Sequence, residues 1–228
     1  MASESHNGRA ELRAVILDYG EVLCYRPPSD DFRRMARIFG LTLDSFLTRW
    51  EATRALLDRG DLSPEAYWLK FAADTQTTIT AEQNKTLCRW EIEMWSNSNP
   101  AMVDWLLRLS DAGIKTGLLS NMPADLAAHL QQKFGWMSKF DFKTFSSHIK
   151  LLKPDPAIYE YTVRGLGVHA AEALFVDDRH PNIEAARSLG MHALQFRSTA
   201  KLRSDLEGLG FPILPGRSND VRDSLPAG

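Results

Sequence analysis

Cysteine is scarce: the 228-residue chain has two, Cys24 and Cys88, with no metal-ligand spacing between them. This argues against a disulfide framework and leaves reduced thiols as the expectation, with Cys24 read as a small buried thiol rather than a reactive one. An excess of charge of either sign is also missing, since 27 Lys and Arg nearly balance 29 Asp and Glu. The formal net charge of −2 gives no overall field to attract nucleic acid or anionic lipid. No segment is apolar for the length that crosses a bilayer, and the polar stretch Met1 to Glu11 lacks the apolar run of a signal peptide, so a cytoplasmic protein is expected. Repeats and low-complexity tracts are absent as well. What is present, at 44% hydrophobic residues, is material for one ordinary core with a modest extra lobe.

Three short apolar runs carry the organisation. Ala14 to Leu17 is wholly apolar and largely β-branched, which suits a strand covered on both faces, and it stops abruptly at Asp18 and Gly20. Ile114 to Leu119 ends at Ser120 and Asn121, and Ala173 to Val176 ends at the acidic pair Asp177 and Asp178. Phe142 to Ser146 and His192 to Phe196 are weaker strand candidates. Helical stretches separate these runs, at Pro123 to Phe134, Pro156 to Leu166 and Pro181 to Leu189. Strand and helix thus alternate as in an open, parallel, Rossmann-like α/β sheet.

Between Ser29 and Ala112 the pattern changes to helix starts without a convincing strand. Ser29 and Asp44 each precede an amphipathic stretch, Ser63 stands before Pro64, Thr80 with Gln83 matches a capping box, and Asn99 precedes Pro100. The expected division is an α/β core formed by residues 1–24 and 99–214, an all-helical cap of residues 25–98 inserted after the first strand, and a polar frayed tail of residues 215–228. Trp50, Trp68, Trp90 and Trp95 fall in the helical block, where aromatic residues at helical spacing are expected to fill a core.

Ligands of parallel α/β sheets bind beyond the carboxyl ends of the strands, where loops and helix N-termini converge. All three strong strands end in polar residues, so Asp18, Ser120 with Asn121, and Asp177 with Asp178 are expected to meet there. Clustered carboxylates repel one another at neutral pH, and a bound cation is the usual compensation. Magnesium suits such a site, because it takes oxygen ligands from one or two carboxylates together with a phosphate. Each residue taken alone has a blander reading. Asp18 could end a turn, Asp177 or Asp178 could cap the following helix, Ser120 could cap another, and Lys153 could be a solvated loop lysine.

Taken together, the strings AVILDYGEVL, GLLSN, LLKPDPAIY and LFVDDRHPNIEAARSLG resemble, in order and spacing, the four motifs of the haloacid dehalogenase superfamily, most of whose members are phosphatases. The resemblance implies that Asp18 attacks phosphorus to give an aspartyl-phosphate, which water then hydrolyses. It implies that Ser120, Asn121 and Lys153 bind the phosphate, with Lys153 also neutralising Asp18. It further implies a magnesium ion held by Asp178, by Asp177 directly or through water, by the Asp18 carboxylate and by the Gly20 backbone carbonyl. By the same resemblance Asn182 positions an acidic neighbour, whereas Arg179 and His180 are read as surface residues.

One position departs from most phosphatases of that superfamily, which carry an aspartate as general acid and base two residues after the nucleophile. Here Gly20 stands there, and the sequence resembles the branch whose first motif reads Asp, any residue, Gly, any residue, Val, in which sugar-phosphate phosphatases occur. General acid and base catalysis contributes about 10²- to 10⁴-fold. Its absence points to leaving groups that need little protonation, such as anomeric sugar phosphates or acyl phosphates, or to recruitment of Glu21 or water. The expected partner is a small phosphorylated metabolite, with the cap and Tyr19 to Arg26 setting specificity. Two other functions compete: metal-free displacement of halide from carbon by the same Asp18, which does not need the adjacent carboxylates Asp177 and Asp178, and a catalytically quiet binding protein on the same fold.

Overall fold

The computed structural model describes residues 12–216, so most of the polar termini expected to fray lie outside the described residues. Five strands form a single parallel sheet: β1 (Ala14–Leu17), β2 (Lys115–Ser120), β3 (Phe142–Phe145), β4 (Ala173–Asp177) and β5 (His192–Gln195), in the spatial order β3-β2-β1-β4-β5. Three of the five coincide with the apolar runs, and β3 and β5 with the two weaker strand candidates, each to within a residue at either end. The centre of the sheet is β1, whose four residues are at most 1% exposed. Burial on both faces is why its residues are all apolar instead of alternating with polar ones.

Side chains alternate across the sheet. Val15 and Leu17 point to a layer made by α5 (Pro100–Asp111), α6 (Ala124–Lys133) and α10 (Thr199–Gly208), while Ala14 and Ile16 point to α8 (Pro156–Leu166) and α9 (His180–Ser188). The sheet is thus sandwiched between helices. A short helix, α7 (Ser146–Ile149), follows β3 directly. The helix α10 was not anticipated. It buries Thr199, Leu202 and Leu206 among charged neighbours, so its apolar stripe is too narrow to stand out, although Ser198 caps it by accepting from the Lys201 amide at 3.1 Å. At the start of the expected tail, Pro215 is buried and its carbonyl accepts from Arg203 at 2.8 Å.

After β1 the chain leaves the sheet for four helices, α1 (Ser29–Ile38), α2 (Leu43–Asp58), α3 (Pro64–Asp74) and α4 (Ala81–Met94). Ser63 caps α3, and Thr80 with Gln83 forms a reciprocal capping box on α4, as the spacing predicts. The cap of α2 is Thr42, which accepts from the Ser45 amide, and not Asp44. These helices share a hydrophobic cluster of their own, in which Phe39 and Phe46 stack on Trp68 at ring separations of 5.9 and 6.3 Å. Two adjacent chain segments connect the block to the sheet. Cys24 pairs with Ser98 in an antiparallel bridge, the Tyr25 amide donates to Asn97 at 2.9 Å, and the Asn99 amide donates to Leu23 at 2.8 Å. Among the described residues no helix is long and apolar enough to cross a membrane.

Phe175 of β4 is fully buried and packs edge-on against Tyr159 of α8 at 5.4 Å, directly beneath the strand tips. Phe175→Ala is expected to lower unfolding stability by about 3–5 kcal/mol, the range for emptying a buried aromatic site. Denaturant titration of the purified variant checks it; a loss below about 1 kcal/mol would mean that the layers collapse into the space.

Candidate active site

The sheet order puts β1 between β2 and β4, so the three polar strand ends are neighbours. Asp18, the first residue beyond β1, is fixed by its amide, which donates to Val176 at 3.0 Å, and by its own carboxylate, which accepts from the Tyr19 amide at 2.7 Å. The chain then winds through Gly20 in extended backbone and Glu21 at φ 56°, and the Cys24 amide closes this turn on the Tyr19 carbonyl at 3.0 Å. Tyr19 is buried, and its hydroxyl donates to the Trp95 carbonyl at 2.6 Å, tying the loop to the end of the helical block.

Lys153 sits among these tips and is 5% exposed, so the reading of a solvated loop lysine does not hold. Its ammonium lies 2.9 Å from Asp18 Oδ1 and 2.6 Å from Asp177 Oδ2, and donates to the Leu119 carbonyl at 2.9 Å. Burial opposes its charge. The fields of Asp177 and Asp18 and their hydrogen bonds outweigh burial and hold the ammonium above the usual lysine range. Asn121 clamps the Lys153 backbone, accepting from its amide at 2.8 Å and donating to its carbonyl at 3.0 Å. The Asn121 side chain expected on phosphate is therefore engaged in placing the lysine. Ser120, 3% exposed, hydrogen-bonds Asp18. The helix that follows is capped at Pro123, so Ser120 does not cap it.

Asp177 is completely buried. Besides Lys153, it accepts from the Arg179 amide at 2.8 Å and from Asn182 Nδ2 at 2.9 and 3.0 Å on its two oxygens. Four protein contacts fill the positions that a carboxylate offers, so Asp177 anchors Lys153, and direct coordination of a metal would displace one of these donors. Asn182 does position an acidic neighbour, as its motif implies. Asp178 is the carboxylate left facing the open cleft. Its carboxyl is pushed up to about 8, by burial first and then by the charges of Asp18, Asp177 and Glu21. Asp18 is raised too, by burial before all else, with Lys153 opposing. Oxygens of Asp18, Asp177 and Asp178 approach within 4.8 Å of one another. An oxygen-only donor set with surplus negative charge fits a hard divalent cation and not a soft one.

The cleft above these groups encloses about 380 Å³, room for a small organic phosphate. Its floor includes Asp18, Gly20, Ser120, Asn121, Lys153 and Asp178, and its opposite wall comes from α2, through Trp50, Glu51, Arg54 and Asp58, with Trp95. Trp68 fills the helical core as expected, and Trp50, Trp90 and Trp95 pack against it; Trp50 and Trp95 also line the cleft, a placement that helical spacing does not reveal. Arg179, expected at the surface, is exposed yet lines the cleft as well. Asp58 was not singled out in the sequence. Nothing in its local pattern distinguishes it from any other polar residue at a helix end.

Residues 8–190 match the family of haloacid dehalogenase-like hydrolases. The chain belongs to that family. Mouse acyl-CoA dehydrogenase family member 10 is 25% identical over 236 residues, which cover 94% of this chain and 21% of the mouse protein. The chain thus spans about a fifth of that relative's length. Sesquiterpene phosphatase astK of Aspergillus oryzae is 26% identical over 203 residues, covering 86% of this chain and 96% of the fungal one. Among solved structures, a mutant of a family enzyme from Bacteroides thetaiotaomicron, crystallised with magnesium and inorganic phosphate, superposes with a TM-score of 0.67 at 17% identity, covering 81% of this chain and 93% of that one. At that identity the likeness concerns the fold.

Removing Lys153 would leave Asp18 and Asp177 buried without their cation. In chelator, Lys153→Ala is expected to lose about 3–5 kcal/mol of stability at neutral pH. Part of the loss returns on acidification, because the Asp18 carboxyl, already raised by burial and no longer opposed by Lys153, then holds its proton more tightly in the folded protein than in the unfolded chain. Denaturant titrations at pH 5 and pH 8 test this. A loss that is independent of pH would show that the ammonium is not the partner of these two groups.

Proposed function

We propose that the protein is a magnesium-dependent hydrolase of small phosphate esters, working through an aspartyl-phosphate on Asp18. One observation carries the reading: a buried, oriented carboxylate lies 2.9 Å from a buried ammonium, beside a second carboxylate that faces the same cleft. Asp18 is the nucleophile. Its Oδ atom attacks phosphorus, Lys153 balances the charge of both the carboxylate and the phosphoryl oxygens, and Ser120 holds one of those oxygens. Asp177, Asn182 and Asn121 keep Lys153 in place. Asp18, Asp178 and the Gly20 carbonyl would hold the magnesium ion, which when bound screens the repulsion between carboxylate and phosphate.

The A. oryzae relative, a phosphatase by name that aligns over nearly its whole length, supports phosphate ester chemistry for this chain. Displacement of halide from carbon is the weaker reading. It gives no work to Asp178, whose carboxyl is raised by burial first and then by the charges of Asp18, Asp177 and Glu21, and which a displacement at carbon does not need. We further propose that residues 25–98 act as a cap on the two paired connections at Cys24 and Ser98, closing over a small substrate and excluding water. Release of phosphate from a panel of sugar, acyl and prenyl phosphates tests the reading. Asp18→Asn is expected to reduce turnover by at least about 10³-fold, as removal of a covalent nucleophile does, and a chelator is expected to abolish it reversibly. Full turnover without divalent metal, or in Asp18→Asn, would end the proposal.

The cation also makes a stability prediction. The folded, metal-free protein holds the Asp178 proton up to about pH 8, whereas the ordinary value is 3.8. A group raised on folding contributes stability that is full below the ordinary value and is lost as pH rises through the folded one. Chelated protein is therefore expected to lose thermal stability from this group between about pH 4 and pH 8, and magnesium to restore it, most at the upper end. Asp178→Asn removes both the loss and the restoration. A magnesium-induced change in Tm of the same size at pH 5 and pH 8 would contradict the assignment.

A further inference from the structure

We propose that Asp58, carried by the helical insertion, is a catalytic residue that protonates the leaving oxygen and then takes a proton from the attacking water, the task that Gly20 leaves open. The inference rests on the phosphatase reading above. In a phosphoryl transfer the attacking and leaving oxygens lie roughly in line with phosphorus between them. With Asp18 attacking from the strand tips, the leaving oxygen faces the opposite wall, which is α2. That wall offers two carboxyl groups to the cleft, Glu51 and Asp58. Glu51 is exposed, whereas Asp58 is only 8% exposed.

Asp58 is also held still. Arg54 Nε donates to its Oδ1 at 2.9 Å, and Ser146 of the core donates its hydroxyl to the Asp58 backbone carbonyl. Arg54 in turn pairs with Glu91 of α4 and lies 4.7 Å from the centre of the Trp50 ring. Because one guanidinium serves two carboxylates, protonating Asp58 does not strand it: Glu91 remains. Other groups that act on or feel the Asp58 charge are Tyr67 of α3 and, from the core, Arg179 and Asp18. Burial is the largest influence and pushes Asp58 up to about 6; Arg54 and Arg179 oppose it, and Asp18 adds to it. Near neutrality such a group exchanges protons in both directions, as the two half-reactions require.

The steps balance. As Asp18 bonds to phosphorus, the ester bond breaks, its electron pair stays on the leaving oxygen, and that oxygen takes the Asp58 proton and departs as an alcohol. Asp58, now a carboxylate, accepts a proton from the incoming water. The water oxygen bonds to phosphorus, the bond to Asp18 breaks and returns its pair to the carboxylate, and inorganic phosphate leaves with Asp58 protonated again. Glu21 is the other carboxyl near the reacting atoms, but its charge acts on Asp178 and is met by Arg26 and Arg179. That places it with the cation site.

The test compares phenyl phosphate, a poor leaving group, with 4-nitrophenyl phosphate, a good one, in magnesium, using kcat/KM because it reports the first chemical step. Asp58→Asn is expected to lower kcat/KM for phenyl phosphate by about 10²-fold or more and for 4-nitrophenyl phosphate by less than about 10-fold. The ratio of the two, taken on one preparation, does not depend on the folded fraction, so partial unfolding cannot imitate it. Equal losses on both esters would overturn the assignment, as would a leaving-group-selective loss in Glu21→Gln with none in Asp58→Asn. A wild-type protein inactive on both esters and on the sugar, acyl and prenyl phosphates would overturn the phosphatase reading and this inference together. An active wild type, silenced by Asp18→Asn but unselective in Asp58→Asn, would remove this inference alone.

Discussion

A single buried ammonium organises the site. Lys153 lies between Asp18 and Asp177, away from water, and each ion so buried costs several kcal/mol of lost hydration unless it is matched by partners of good geometry. The match is nearly complete for Asp177, which Asn182 and the Arg179 amide also serve, and for the Lys153 backbone, which Asn121 holds at both its amide and its carbonyl. It is incomplete for Asp18 and Asp178. Burial first, and neighbouring carboxylates after it, hold their carboxyls above the usual range, and the surplus of negative charge lies on the side of the cluster that opens to the cleft. On the proposed reading, a divalent cation and the anion bound to it would complete this site.

The sheet makes this possible through order more than through length. With β1 flanked by β2 and β4, residues more than a hundred positions apart end side by side, and parallel direction puts all their ends on one edge. Both segments that leave for the helical block cross at that edge, next to Tyr19 and Trp95. The insertion therefore starts and ends at the edge that carries the strand tips. Ser146 and Lys150 then fasten the end of α2 to the core by donating to the Asp58 and Gly60 carbonyls. The α2 part of the wall facing Asp18 thus packs with a different hydrophobic cluster from the floor, and Trp95 touches both clusters.

Much of this was legible in the residues. Continuous apolar runs ending in Asp18, Ser120 and Asp177 marked buried parallel strands and their functional edge, because only a strand covered on both faces abandons alternation. Capping pairs at Ser63 and Thr80 marked the helices of the insertion, since those side chains satisfy amides that a helix start leaves open. The chemistry of the motif residues told which would gather. Local pattern failed where a role depends on a partner from elsewhere. Thr42 took the cap expected of Asp44, and α10, with a narrow apolar stripe, gave no clear period.

The division is physical. Strand and helix identity, the strand-tip acids and the helical nature of the insertion follow from burial pattern and capping, which act over a few neighbouring residues and are written locally. Whether Asp177 or Asp178 faces the cleft, whether Asn121 touches phosphate or clamps a lysine, and whether Trp50, Trp95, Arg179 and Asp58 line the cleft or lie elsewhere are questions of which surfaces meet. Those were decided by the packing of the insertion against the sheet edge, where hydrogen-bond partners lie tens of residues apart and burial is set by atoms from both sides.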